Sequence, residues 1–215
     1  MSDVQHNSID RFASAIAAID AANARDPNRT VVDRVKSPHE LHYARRMSQW
    51  LARLEPGATE ALRLAVRCQH LQRWMIPRSQ YPMTRAGYHR WRTELARFHA
   101  DRAGEILAEV GYDEITVRRV QALVRKEGLK TDPETQTLED VACLVFLEDE
   151  LGDFAARHDE AKVVNILVRT WGKMSQRGRD AALGLDLPPA QRALIAKALS
   201  QGSGPATPPG APADH

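Results

Sequence analysis

The residues of this chain best suited to chemistry are histidines, carboxylates and arginines, and His70 is the first to consider. It stands in Ala65-Val66-Arg67-Cys68-Gln69-His70-Leu71-Gln72-Arg73, a stretch with helical apolar spacing. A histidine on a mostly apolar helix is more often a hydrogen-bonded core residue than a ligand, but this one has partners elsewhere in the chain. His42 lies upstream on a helix expected to pack against it. His99 falls in a long later helix, and Asp140 opens an apolar helix with Glu139 before it and Glu148 beyond the apolar run. Histidines and carboxylates from separate helices are how helical proteins build metal sites. Such a site ionises a bound water for attack on a phosphoester, or binds iron for oxygen chemistry. His70 and Glu139 are the candidate catalytic groups of that reading.

The arginines supply a second kind of chemistry. Nine of them fall between Arg63 and Arg102, against only Glu94 and Asp101. Guanidinium groups around a histidine suit a phosphate or carboxylate, which they bind in a bidentate way. Gln69, Arg73, Arg78, Arg92 and Lys126 are the expected substrate-binding side chains. The competing reading is a solvated helix face whose arginines pair with Glu94, Asp101 and Glu105. The same stretch interleaves Trp74, Tyr81, Tyr88, Trp91 and Phe98, the composition of a stacking platform for RNA.

Helices must position these groups. The periodicity is 3.6 nearly everywhere and strand signals are weak, so an all-α, single compact domain of about eight helices over residues 1–200 is expected. Ser8 is the expected cap of a first helix to Asn23, and residues 25–38 read as a loop. Further helices are expected over about 38–54, 58–74, 84–110 (capped by Thr84, ended by Gly111) and 113–127 (capped by Asp113). Thr137 and Asp140 have capping-box spacing and are expected to open a sixth, which carries seven apolar residues from Val141 to Leu147 and runs to about Arg157. A seventh over about 160–174, a short one, and one over 190–199 complete the domain. Residues 201–215, rich in Pro, Gly and Ala, read as a disordered tail.

The order of a helix with His-x-x-Arg (His42, Arg45), an apolar helix ending in the polar pair Gln69-His70, a later His99 and a helix with Asp140 resembles the HD-domain superfamily of helical metal-dependent phosphohydrolases, over about residues 38–150. The resemblance implies an HD-domain-like fold and a metal site of His42, His70, His99 and Asp140 for a divalent iron, manganese or zinc ion. The chain departs from the superfamily pattern, because Gln69-His70 stands where His-Asp is usual. A mononuclear site and a degenerate, metal-free binding module both follow from that. Gln69-His70-Leu71-Gln72-Arg73-Trp74, Pro77-Arg78, Tyr81-Pro82-Met83, Thr135 to Cys143 and Thr170 to Ser175 are similar to a family catalogued as domain of unknown function 4202, which implies no activity.

Composition sets the remaining bounds. The 215 residues carry 30 basic and 28 acidic side chains, a net charge of +2. No apolar run approaches the ~20 residues of a membrane span. The polar stretch Met1 to Ile9 lacks a signal-peptide core, so a cytoplasmic protein without membrane contact is expected. Cys68 and Cys143 read as buried free thiols. P-loop and nucleophile-elbow motifs are absent. The expected function is a metal-dependent hydrolase acting on a phosphorylated small molecule or nucleotide. The alternatives are a non-catalytic module for an anionic metabolite or nucleotide, and an RNA-binding protein.

Overall fold

The computed structural model describes residues 2–32 and 34–202, with side chains for 10–31 and 34–201. It is an all-α protein with ten α-helices among the described residues. The chain divides into two compact units, one ending at Val145 and one beginning at Phe146. The expected tail from residue 203 onward lies outside the described residues, and residues 201–202 finish the last helix.

The first unit opens with α1 (Ser2–Asn23), which runs through Ser8, so that residue does not cap it. The expected loop contains a hairpin of β1 (Arg29–Val32) and β2 (Val35–Pro38), antiparallel with Thr30 opposite Ser37 and Val31 opposite Lys36. Val31 and Val35 remain about two-thirds exposed. The described side chains of these two four-residue strands are all exposed or half-buried, which leaves no alternating apolar pattern to read. Then come α2 (His39–Leu54), α3 (Glu60–Arg67), α4 (Arg85–Glu109), α5 (Glu114–Val124) and α6 (Pro133–Val145). Thr59, Thr84 and Asp113 cap α3, α4 and α5 by accepting from the backbone N–H three residues on. Gly111 takes a left-handed φ of +91° after α4, as its position predicts. α2 packs on α3 and α6, while α5 packs on α3 and α4. Met47, Leu62, Leu71, Leu107, Leu123, Leu138 and Leu144 are among the fully buried side chains.

Two of the helix boundaries that differ from expectation matter for the site. The third helix stops at Arg67 instead of continuing to Trp74. Residues 68–72 form tight turns, with Gln72 left-handed at φ 53°. The Gln72 N–H is taken by Asn23 Oδ1 at 2.9 Å, and its side chain accepts from Arg102 Nε at 2.9 Å. Partners from α1 and α4 thus replace the helical hydrogen bond. The sixth helix starts at Pro133, with Asp132 Oδ1 accepting from Glu134 N at 3.0 Å. Proline at the first helical position has no N–H to lose. Thr137 and Asp140 therefore lie inside α6, where Thr137 Oγ1 donates to the Pro133 carbonyl.

The second unit begins with a π-helical stretch, Phe146–Glu150, followed by α7 (Leu151–Arg157), α8 (Glu160–Lys173), α9 (Gln176–Leu183) and α10 (Pro189–Gly202). α8 packs on α7 and α10, burying Leu147, Leu151, Val163, Leu167 and Ile195. Among the described residues no helix is long and apolar enough to cross a membrane.

Candidate functional site

The chain order Ser37-Pro38-His39-Glu40 places a carboxylate in the first turn of α2. Asp26 Oδ2 accepts from Glu40 N at 2.9 Å, and Asp26 Oδ1 accepts from Asn28 N and Nδ2. Glu40 and Tyr43 are three residues apart and share a helix face. Both meet His70, delivered by the turn after α3. The Tyr43 and His70 rings stack with centroids 3.9 Å apart. His70 Nδ1 lies 3.3 Å from Glu40 Oε2, both atoms being buried, and because Arg73 can only donate to Nε2 the ring proton stands on Nδ1, facing that carboxylate. His39 Nδ1 stands 3.6 Å from Glu40 Oε1. Burial works against charge on Glu40, yet the facing His70 and His39 rings hold its carboxyl well below the usual carboxylate range. Burial, with the charge of Arg73, pushes the His70 imidazole down to about 3 despite Glu40. At neutral pH the pair is a carboxylate facing a neutral imidazole.

On the other side of His70 stands a cation. Arg73 Nη1 approaches His70 Nε2 at 3.5 Å, its Nε is 4.0 Å from Glu40 Oε1, and its guanidinium lies over the Trp91 ring at 4.9 Å. Trp91 is buried and donates Nε1–H to the Ile76 carbonyl, so packing occupies one of the five aromatics expected to stack on RNA. His99 reaches the cluster from α4, its ring 6.1 Å from that of His70. Its Nδ1 bonds the Leu71 carbonyl at 2.8 Å, which assigns the proton to Nδ1 and leaves Nε2 a lone pair. That Nε2 is buried without a partner. Burial pushes His99 down to about 4, against the pull of the Leu71 carbonyl, and the charges of Arg73 and Arg92 act with burial. Arg92 itself is exposed.

The expected residues thus divide. His70, Arg73 and His99 come together, with the charge of Arg92 felt at His99. Gln69 is buried and donates Nε2–H to the Val124 carbonyl at 3.3 Å. Arg78 is committed to its own loop, donating to the carbonyls of Tyr81 at 2.9 Å and Pro82 at 2.8 Å. Lys126 forms an ion pair with buried Glu139. Asp140 is buried inside α6 and accepts from Gln136 Nε2 at 3.1 Å. His42 follows Glu40 by two residues, roughly 200° around α2, and so leaves the Glu40 face. Among the described residues, the group of His, Cys, Asp and Glu side chains close enough to hold a metal is Asp26, His39 and Glu40, with ligand atoms within 4.8 Å of one another. His42, His70, His99 and Asp140 do not form such a group. Sequence reasoning missed Asp26, His39 and Glu40. The signal available was His-Glu directly after Ser-Pro at a helix start.

A cleft of about 510 Å³ lies elsewhere, between α1, α2 and α3. Phe12, Ile16 and Leu51 line it, and none of the expected site residues does. Its Arg67 is held by Asp20 through two bonds of 2.7 Å and by Ser48 Oγ. Arg63 covers the Phe12 ring. The profile of a family described as Domain of unknown function (DUF4202) matches residues 13–195. No curated protein and no solved structure matches the chain.

Proposed function

We propose that this chain, which belongs to the DUF4202 family, binds a small anionic ligand, a phosphorylated metabolite or nucleotide, at the Arg73–His70–His99 cluster. One observation carries the reading. Arg73 is fixed over Trp91 and beside His70 Nε2, yet its side chain remains 26% exposed and its contact to Glu40 is a loose 4.0 Å. A guanidinium held in place with donors to spare is prepared for a bidentate oxyanion. Exposed Arg92 adds positive charge on the same side.

The test is a titration of the untagged protein with inorganic phosphate, pyrophosphate and nucleoside monophosphates, followed calorimetrically and by thermal shift. Saturable binding is expected, and Arg73→Ala is expected to weaken it tenfold or more, with Arg73→Lys in between because an ammonium keeps charge but loses the fork. Equal affinity in Arg73→Ala would remove the proposal.

A second reading, a metal-dependent phosphohydrolase of HD-domain-like character, draws on His99. A ring whose Nδ1–H is held by a carbonyl, leaving Nε2 bare, has the orientation that outer-shell partners give metal-binding histidines. Release of phosphate from the same nucleotides on adding manganese or zinc separates this reading from binding alone.

A further inference from the structure

We infer that the cleft between α1, α2 and α3 binds a medium-chain aliphatic carboxylate, with its tail against Leu51 and Val66 and its head group at Arg63. The site is separate from the Arg73 cluster and goes beyond the anion reading.

Each of the three helices gives the cleft one stripe of side chains. Phe12 and Ile16, one turn apart, come from α1. Ser48, Leu51 and Ala52 come from α2, and Arg63, Val66 and Arg67 from α3, in both cases at spacings of three and four residues. Stripes at this spacing ordinarily interlock and leave little empty space. Here α2 contributes Ser48 and Ala52, whose short side chains fill little of the gap, and about 510 Å³ remains. That lies within the roughly 300–1,000 Å³ of small-molecule sites, which are concave, mostly apolar and equipped with a few polar groups. Leu51 and Val66 are buried and mark the deep end, while Ala52 and Arg63 are exposed and mark the mouth.

Charge selects the head group. Arg67, only 10% exposed at the side chain, holds Asp20 through two bonds of 2.7 Å and donates to Ser48 Oγ at 3.2 Å, so the buried polar groups are satisfied without a ligand. Asp20 also serves Arg45, at 3.6 Å. Two guanidiniums thus share one carboxylate, which leaves positive charge beside the cleft. Glu55, the acid in the lining, already has a partner in the protein. Arg63 is placed differently. Its guanidinium lies 4.1 Å from the centre of the Phe12 ring, and among the described residues that ring, not a carboxylate, is its contact. A guanidinium resting on an aromatic face keeps its N–H edge open for a carboxylate. Arg67 follows Arg63 by one turn, about 6 Å along the axis, so a cationic ligand would meet two like charges. An acid with an apolar tail matches both the walls and the mouth.

The experiment titrates the full untagged chain by calorimetry, at low ionic strength, with octanoate and with octan-1-ol, which has the same tail and no charge. Octanoate is expected to saturate at about one molecule per chain. Arg63→Gln keeps much of the stem and removes the charge, so it is expected to weaken octanoate by roughly fivefold or more and to leave octan-1-ol unchanged. Ala52→Trp fills the mouth from an exposed position and is expected to abolish binding of both. Should its thermal midpoint show that Ala52→Trp does not fold, Arg63→Gln decides alone. No saturable octanoate binding in the wild type overturns the proposal, and so does undiminished affinity in Arg63→Gln or in folded Ala52→Trp. Displacement of octanoate by excess phosphate would overturn it too, because the acid would then sit at the Arg73 cluster. Phosphate titration at saturating octanoate reports on that cluster separately, so failure of one reading is distinguishable from failure of the other.

Discussion

His99 has one ring nitrogen committed to the Leu71 carbonyl and the other bare, in surroundings that keep it neutral down to about pH 4. In the unfolded chain the same side chain titrates near 6.5. Between those values the unfolded state binds more protons, so stability falls as pH drops from about 6.5 to about 4. Urea midpoints at pH 7, 5.5 and 4.5 measure this. His99→Asn retains an N–H for the carbonyl and does not titrate, so the fall is expected to be shallower in the variant; equal slopes would place the loss at other groups. Residue types made His70 and His99 visible from sequence, because a polar group in an apolar helical pattern stands out. Glu40 did not stand out, since a glutamate in a first helical turn is usually solvated. It is buried, and the turn thirty residues on brings His70 to 3.3 Å from it, a contact that local spacing does not encode.

At the scale of elements, caps were the most legible feature. Thr84 and Asp113 begin α4 and α5 as their types and spacing suggest, because capping is decided within four residues. The turn at 68–72 was illegible for the opposite reason. Apolar spacing continues through it, and what ends the helix is Asn23, 49 residues away. The loop between that turn and α4 depends on Gly87. A Cβ there would lie 2.1 Å from the Pro82 carbonyl oxygen, a backbone atom that can move only with the loop that Arg78 holds. Gly87→Ala is expected to destabilise the protein by about 1–3 kcal/mol, read as a lowered urea midpoint. Gly104→Ala instead meets the Gln121 side-chain nitrogen at 2.3 Å, and a side chain can rotate away. A smaller loss is expected there, and the reverse order would contradict the role given to the 77–84 loop.

For the molecule as a whole, the sequence made the all-α class clear, since helical periodicity is repeated along the entire chain. The arginine count was less informative than it looked. Of the nine between Arg63 and Arg102, the fold assigns Arg67 to Asp20, Arg78 to loop carbonyls and Arg102 to Gln72 and Glu105. Of the other six, Arg63 lies over the Phe12 ring, and Arg73 and Arg92 give the candidate site its charge. Formal charge in a stretch of sequence says how many cations are present, and only packing says which of them are still available to a ligand.

Cys68 caps the C-terminal end of α3, immediately before Gln69 and His70, and is fully buried, with burial raising its thiol to about 12. In the closed protein it is therefore hidden from alkylating reagents and poorly ionised. Its modification has to wait for the turn carrying His70 to open, which makes the thiol a clock for that motion. An occupant that ties His70 and Arg73 down should slow the clock in proportion to how far it suppresses opening. Mass spectrometry of Cys68 labelling over time would then reveal a ligand whatever reaction, if any, follows its binding.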